Sequence, residues 1–339
     1  DTGEVLYEQL PDEQVPIASI TKIMTLLLTL EAVEKGKISL SDKVPVSEFA
    51  YGMGGSQIWL EPGELFTLDE LIKAICISSA NDAAVAVCEY VGGSEGVFLQ
   101  MMNDRATELG MKNTHFCNAC GLDEEGHYSS ARDVAIMSRE LLRHPKILEY
   151  SGIWMDSLRG GLTQLTNTNK LLKRYSGITG LKTGTTNKAG VCISATATRE
   201  GMGLIAVVLG SVASEDRFLS ATTLLDYGFA SYEIVPFPTV ENLPKTIPIK
   251  HGVEKETAIS ANLPKKLFVN KGEGKNITAE FCLPDSLTAP IKKGDGIAKI
   301  ALKQEKNTIG EYEITAKKEV NEMNFNAAFK LLTKELFTL

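Results

Sequence analysis

Pro16–Thr25 reads PIASITKIMT and runs on as LLLTLEAVEKG through Gly36. The pattern predicts a helix that opens near Ser19 and closes near a glycine suited to cap its C-terminus. Three residues separate Ser19 from Lys22, so both side chains project from one face about one turn apart. A serine hydroxyl is a weak nucleophile at neutral pH and needs a base, and a partly desolvated lysine can lose its proton and serve. The N–H groups and positive dipole end of a helix start also favour a developing oxyanion. Taken alone, S-x-x-K recurs by chance, and a serine N-cap followed by a surface lysine is the ordinary reading of such a match.

Two further stretches change that reading. Ser79-Ala80-Asn81 lies inside LDELIKAICISSANDAAVAVCEYVGG, a long helical pattern from Leu68 to Gly93. Lys182-Thr183-Gly184, followed by Thr185, stands just before VCISATATREGMGLIAVVLGS, where apolar runs flank Arg199–Gly203 as in a β-hairpin. With EGVFLQMMNDRATELGM as another helix, residues 1–233 read as an α-rich α/β domain with an antiparallel sheet. Beyond Tyr232 come short runs such as KTIPIKHG, ETAISANL, KKLFVN, NITAEFCL, GIAKIAL and IGEYEITAKKEV. Turn residues punctuate them at intervals of about 8 to 12 positions, as in small β-sandwiches. Residues 234–318 are therefore expected to form a small all-β domain. The last stretch, 319–339, returns to a helical period with Met323, Phe325, Ala328, Phe329, Leu331, Leu332 and Leu336 apolar. Such an amphipathic helix either docks on its own domain or lies in a membrane interface.

The S-x-x-K, S-x-N and K-T-G elements, in this order, make the chain resemble β-lactamases and penicillin-binding proteins. TGEVLYE before the first element, NTHF with GLDEEGHYSSARD in the middle, and the β domain at the end narrow the resemblance. They point to the low-molecular-mass penicillin-binding proteins, serine-type D-Ala-D-Ala carboxypeptidases. The resemblance implies a β-lactamase/transpeptidase-like fold and a substrate, the peptidoglycan stem pentapeptide ending in D-Ala-D-Ala, with β-lactams as covalent inhibitors. It implies that Ser19 attacks the carbonyl between the two D-alanines and that Lys22 takes its proton. Ser79 relays a proton to the leaving D-alanine, while Asn81 orients Lys22 and binds the substrate backbone. Lys182 supplies positive potential, Thr183 and Thr185 bind the substrate carboxylate, and the strand through Gly184 pairs with the extended peptide. The N–H groups of Ser19 and Thr185 form the oxyanion hole. The family places an arginine at the head of a late helix, so the resemblance implies that Arg217 is a second carboxylate anchor, able to grip it bidentately, where the residues alone also allow a solvated helix-start arginine. Family members often carry a histidine where this chain has Cys120, just before Gly121. No metal or organic cofactor is expected, and the resemblance implies export to the outer face of the cytoplasmic membrane with the C-terminal helix on the lipid surface. Mixed charges there, Lys330 and Lys334 against Glu319, Glu322 and Glu335, predict weak attraction to anionic lipid.

Other chemistries are less well served. A class A-like β-lactamase would need an E-x-x-L-N loop, and Glu140-Leu-Leu-Arg143 lacks the asparagine. Gly92–Gly96 matches the G-x-S-x-G elbow of an α/β-hydrolase, with Ser94 as nucleophile, but Ser94 also suits the N-cap of the next helix. Cys117 and Cys120 form an isolated C-x-x-C without a second pair. The cysteines at 76, 88, 117, 120, 192 and 282 lie in apolar segments, as buried free thiols do. With 35 basic against 43 acidic residues, a net charge of -8 and no basic run, nucleic acid is not an expected partner. The longest apolar candidate, Ile20–Leu30, is interrupted by Thr21, Lys22, Thr25 and Thr29, too short and too polar to span a bilayer. The opening DTGEVLYEQLPDE reads as the middle of a strand and turn, which suggests that upstream residues have been removed.

Overall fold

The computed structural model describes residues 2–305 and 307–336. Its chain divides into two compact units, 1–230 and 231–339, slightly ahead of the compositional change at 233. In the first unit the elements are α1 (Lys22–Glu34), β1 (Lys43–Pro45), α2 (Glu48–Tyr51), β2 (Leu65–Thr67), α3 (Leu68–Ser78) and α4 (Asn81–Gly92). They continue with α5 (Glu95–Glu108), α6 (Ala131–Leu141), α7 (Ile147–Ser151), β3 (Met155–Leu158), β4 (Thr163–Thr166) and α8 (Leu171–Arg174). The antiparallel sheet β5 (Ile178–Thr186), β6 (Gly190–Arg199) and β7 (Met202–Ser211) follows, and then α9 (Ser214–Ser231).

Helix α1 is the axis of this unit, surrounded by α4, α5 and α6. Ile23, Met24, Leu26, Leu27, Leu28 and Leu30 are buried around it, so it is apolar on nearly every face, as a central helix must be. Lys22, Thr25 and Thr29 fall on one stripe at i, i+3 and i+7, and the acidic residues Glu31 and Glu34 come only in the last turn. Thr25 donates to the carbonyl of Ala119 at 2.7 Å, and Thr29 donates to that of Thr25 at 2.7 Å. The interruptions that disqualify the stretch as a membrane span are thus internal hydrogen-bonding positions. Residues Ala18–Thr21 form a single 3-10 turn ahead of α1, and this turn packs on β5 and β6. That contact sets Ser19 beside the sheet.

Local sequence explains the other helix starts. Thr67 and Glu70 close a reciprocal capping box at α3. Ser94 accepts from the Val97 N–H at 3.4 Å and Ser130 from that of Asp133 at 3.2 Å, capping α5 and α6. The long pattern from Leu68 to Gly93 is not one helix: it breaks at Ser79, whose backbone is left-handed at φ 59°. Periodicity alone could not show the break, because apolar residues keep a helical spacing on both sides of it. No strand forms over residues 2–14, contrary to the reading of the opening stretch. The first backbone pairing is the bridge of Val15 with Ser129, and Val5 and Tyr7 stay exposed with no neighbouring strand to complete a ladder.

In the second unit β9 (Thr246–Lys250), β10 (Glu256–Ala261), β12 (Ile277–Phe281), β13 (Leu287–Thr288), β14 (Gly296–Gln304) and β15 (Asn307–Ala316) make a sheet of order β12-β14-β15-β10-β9-β13. β8 (Tyr232–Pro236) pairs separately with β11 (Lys266–Asn270). Alternation along the strands buries Ile247, Ile259, Ile300 and Ile314 together. Residues 319–323 are not helical: Val320 bridges Ile291, Glu322 bridges Gly252, and the Met323 N–H donates to the carbonyl of His251. Those backbone pairings hold the segment to the sheet, and α10 begins at Phe325 (Phe325–Leu336). Residues 337–339 of the expected helix lie outside the described residues. Cys282 is exposed and Cys117 half-buried; the other cysteines are buried, and none is disulfide-bonded.

Leu27→Ala, which empties a fully buried site on the central helix, is expected to lower unfolding free energy by about 2 to 5 kcal/mol. The shift of the denaturant midpoint at unchanged m-value is the measurement.

Candidate active site

The first turn of α1, the broken α3–α4 junction and β5 converge on one cluster. Lys22 Nζ lies 2.9 Å from Ser19 Oγ and donates to Asn81 Oδ1 at 2.6 Å and to the Cys120 carbonyl at 2.6 Å. Its side chain is wholly buried. Two of its three tetrahedral N–H positions are thus fixed on carbonyl-type acceptors, and the remaining one faces the serine oxygen. That position holds an N–H when the group is charged and a lone pair when it is neutral. Burial lowers the Lys22 pKa to about 8, against opposing contributions from Cys120 and Asp82.

A second lysine–serine pair sits alongside. Lys182 Nζ donates to Ser79 Oγ at 2.9 Å and to the Thr183 carbonyl at 2.9 Å. Lys182 is 2% exposed. Its pKa is driven well below the ordinary lysine value, first by burial and then by repulsion from Lys22 and Arg217. Ser79 reaches this position because it occupies the left-handed C-cap of α3, a conformation that is uncommon for a residue with a Cβ and often marks a functional site.

The remaining sequence-predicted residues gather on β5. Thr183 Oγ1 is 2.6 Å from Thr168 Oγ1. Arg217, near the start of α9, donates through one nitrogen to the Gly184 carbonyl at 2.9 Å and to Thr185 Oγ1 at 3.0 Å. It also covers the Phe218 ring, with its guanidinium carbon 4.8 Å from the centroid. Arg217 is therefore held against Gly184 and Thr185, two and three residues along β5 from Lys182.

Several parts of the arrangement carry no sequence signature. Cys120 contributes its backbone carbonyl, not its thiol, so any side chain there would leave the same acceptor. Asp82 is buried and accepts from the N–H groups of Ile58 and Leu60, while Asn81 donates to the Gly54 carbonyl at 2.7 Å and, through its N–H, to that of Ser56 at 2.7 Å. One dipeptide thereby staples the 54–60 loop next to Lys22. Gly121 (φ +86°) lies against the Ala18–Thr21 turn: a Cβ there would overlap the Ala18 carbonyl and approach Ser19 N at 2.9 Å. A Cβ on Gly184 would come within 3.0 Å of Ser19 N from the other side.

The rival sites are not assembled. Ser94 follows α4, a helix, so the strand that an elbow nucleophile requires is replaced by helix, and its hydroxyl caps α5. Glu140 pairs with Arg105 at 3.0 Å and Arg143 at 3.1 Å. Arg105 also binds Glu31, which lies on α1 about 14 Å along the axis from Lys22 at 1.5 Å per residue. Glu140 is thus at the far end of the helix from Ser19. Among the described residues no cluster of three or more His, Cys, Asp or Glu side chains is arranged to hold a metal ion.

A serine hydroxyl against a buried lysine, with a second serine–lysine pair and a conformationally fixed strand edge, defines an acyl-enzyme-forming serine hydrolase of the penicillin-binding class. Comparison with known proteins is more specific. The family model described as D-alanyl-D-alanine carboxypeptidase matches residues 1–213, and that of the penicillin-binding protein 5 C-terminal domain matches 239–322. D-alanyl-D-alanine carboxypeptidase DacF of Bacillus subtilis is 43% identical over 329 residues, 96% of this chain and 85% of that protein. DacA of Escherichia coli is 32% identical over 334 residues, covering 96% and 82%. Penicillin-binding protein 5 of Haemophilus influenzae superposes with a TM-score of 0.83 at 28% identity, over 94% of each chain. Penicillin-binding protein D2 of Listeria monocytogenes in its cefotaxime-bound form gives 0.61 at 35% identity, over 67% of this chain and 92% of that one. The chain belongs to the D-alanyl-D-alanine carboxypeptidase family.

Gly121→Ala is expected to reduce the rate of penicillin labelling by at least about 100-fold, because displacing the nucleophile turn disturbs both the serine and its N–H. Stopped-flow acylation compared with wild type checks this.

Proposed function

We propose that Ser19 is the acylated residue of this serine-type D-alanyl-D-alanine carboxypeptidase and that Lys22 is its base; the observation that carries the assignment is the buried Lys22 Nζ held 2.9 Å from Ser19 Oγ. The chain is a hydrolase that takes peptidoglycan stem peptides ending in D-Ala-D-Ala and binds β-lactams. Ser19 Oγ attacks the carbonyl of the penultimate D-alanine and its proton passes to Lys22. The C–N bond breaks, and the departing D-alanine amine receives a proton through Ser79, which Lys182 holds. Water then cleaves the Ser19 ester and restores the hydroxyl. The Ser19 and Thr185 N–H groups stabilise the oxyanion in each half-reaction. Thr185, backed by the Arg217 guanidinium, receives the free terminal carboxylate, with Thr183 assisting from the same strand, while the Lys182–Thr185 edge pairs with the substrate backbone. Free-carboxylate recognition of this kind fits an exopeptidase.

The enzyme works outside the cytoplasmic membrane, where its substrate is found, and α10 supports attachment to the membrane surface. Phe325, Phe329 and Leu332 follow one another at i, i+4 and i+7 and are 81%, 59% and 60% exposed. The two phenylalanine rings stack with centroids 6.3 Å apart. A water-facing apolar stripe of this spacing suits a helix lying in a bilayer interface. No helix of the described residues is long and apolar enough to cross a membrane.

Labelled benzylpenicillin should form a stable adduct with wild type and not with Ser19→Ala, and D-alanine release from a diacyl-Lys-D-Ala-D-Ala peptide should vanish in the same variant. Labelling at Ser94 instead would overturn the assignment. Because only neutral Lys22 accepts the proton, the acylation rate should climb about tenfold per pH unit below pH 8 and level off above about 8, where Lys22 loses its charge. A flat profile between pH 6 and 8 sinks the base role. Phe325→Ser together with Phe329→Ser should release the protein from sedimenting phosphatidylglycerol–phosphatidylethanolamine vesicles while penicillin labelling is unchanged.

A further inference from the structure

His127 lies in the loop before α6, is buried, and belongs to none of the three sequence elements of the site. Its Nδ1 accepts the Cys117 N–H at 3.1 Å, so that nitrogen carries no proton. The ring proton is therefore on Nε2, which lies 2.7 Å from Thr21 Oγ1 and donates to it. The Thr21 hydroxyl, accepting from the ring, spends its own proton on the Ala18 carbonyl at 2.9 Å. Phe116 covers the imidazole edge-on, with ring centroids 5.9 Å apart. Burial pulls the ring's pKa down to about 4, which keeps it neutral and keeps this donor order in force at ordinary pH.

The end of this chain is not an ordinary carbonyl. The Ala18 C=O and the Ser19 N–H belong to the same planar peptide and point in opposite directions, so fixing one fixes the other. Ala18 adopts φ +49°, a left-handed conformation that a residue with a Cβ rarely takes without support. Gly121 and Gly184 close on the same peptide from two sides without contributing a side chain. Thr21 supplies the directional hydrogen bond. We propose that His127, acting through Thr21, is a positioning residue for the nucleophile turn: it aims the Ser19 N–H at the oxyanion formed during acylation and deacylation. This inference rests on the assignment of Ser19 and its N–H given above.

An amide can reproduce both contacts, since a glutamine oxygen accepts where Nδ1 does and its NH2 donates where Nε2 does. His127→Gln should therefore acylate with penicillin within about threefold of wild type. His127→Phe keeps the ring volume without the hydrogen bonds, and Thr21→Val keeps the shape of the threonine. Each should slow acylation and lower kcat on diacyl-Lys-D-Ala-D-Ala by about 10- to 100-fold, less than outright loss of an oxyanion donor, with KM within about twofold. Their double variant should be no slower than the slower single, because both cut one chain. End-point labelling should still reach one penicillin per chain. A merely structural role predicts the opposite pattern: a lower melting temperature and labelled fraction, with the wild-type rate in what remains folded. That outcome, a wild-type rate in Thr21→Val, or additive losses in the double variant would overturn the proposal. Should His127→Phe fail to fold, Thr21→Val against His127→Gln decides alone. If wild type itself is not labelled at Ser19, the functional assignment fails first; variants that match a labelled wild type reject only the relay.

Discussion

An ammonium group taken out of water must either find acceptors or give up its proton, and the first unit of this protein is arranged around that constraint at Lys22. Its side chain enters the core at the start of a helix whose buried faces are mostly apolar. The Asn81 oxygen and the Cys120 carbonyl satisfy two of its hydrogens, and the third direction is left to Ser19. The same carbonyl and amide explain neighbouring features. The 119–121 loop must come close enough to reach Lys22 and Thr25, which requires a glycine at 121. Asn81 must face inward, which places the α3–α4 break immediately before it. Lys182 is a second buried lysine, and its hold on its proton is weakened first by burial and then by repulsion from Lys22.

How much of this was legible in the sequence depended on whether side chains or backbone carried the role. Ser19, Lys22, Ser79, Asn81 and Lys182 are recognised by type and spacing, and the structure brings all five together. The hairpin of β6 and β7 and the strands of the second unit were readable from alternation and turn residues. The Ser79 break was hidden within a continuous apolar period, and the Cys120 carbonyl was hidden because every residue has one. The proposed role of His127 and Thr21 is hidden for a related reason: it falls on a peptide group three residues from Thr21, which no motif records. The 319–323 segment was misread because its apolar residues suit either a helix or an edge bridge, and the partners that decide, Ile291 and Gly252, are distant in sequence.

Charge is used differently at the two ends of α1. Near Ser19 the lysines are buried, which lowers their proton affinity although neutral acceptors hold their hydrogens. Near Glu31 the partners are opposite charges: Arg105 bridges Glu31, Glu108 and Glu140, and Arg143 joins through Glu140. That network is partly exposed and screened by solvent, so it contributes little stability per pair. It neutralises Glu31 at a helix terminus where an acidic group is otherwise unfavourable, and it leaves the field at the catalytic end to the lysines and to Arg217.

The left-handed residue at position 79 also constrains how this protein can be improved. A glycine would adopt that backbone with less strain, and a helix former that merged α3 with α4 would remove a break in the scaffold. Either change discards the hydroxyl or turns it away from Lys182. If Ser79 serves as proposed, stability and turnover are opposed at this one residue, and a variant selected only for heat resistance is free to discard the hydroxyl that Lys182 holds.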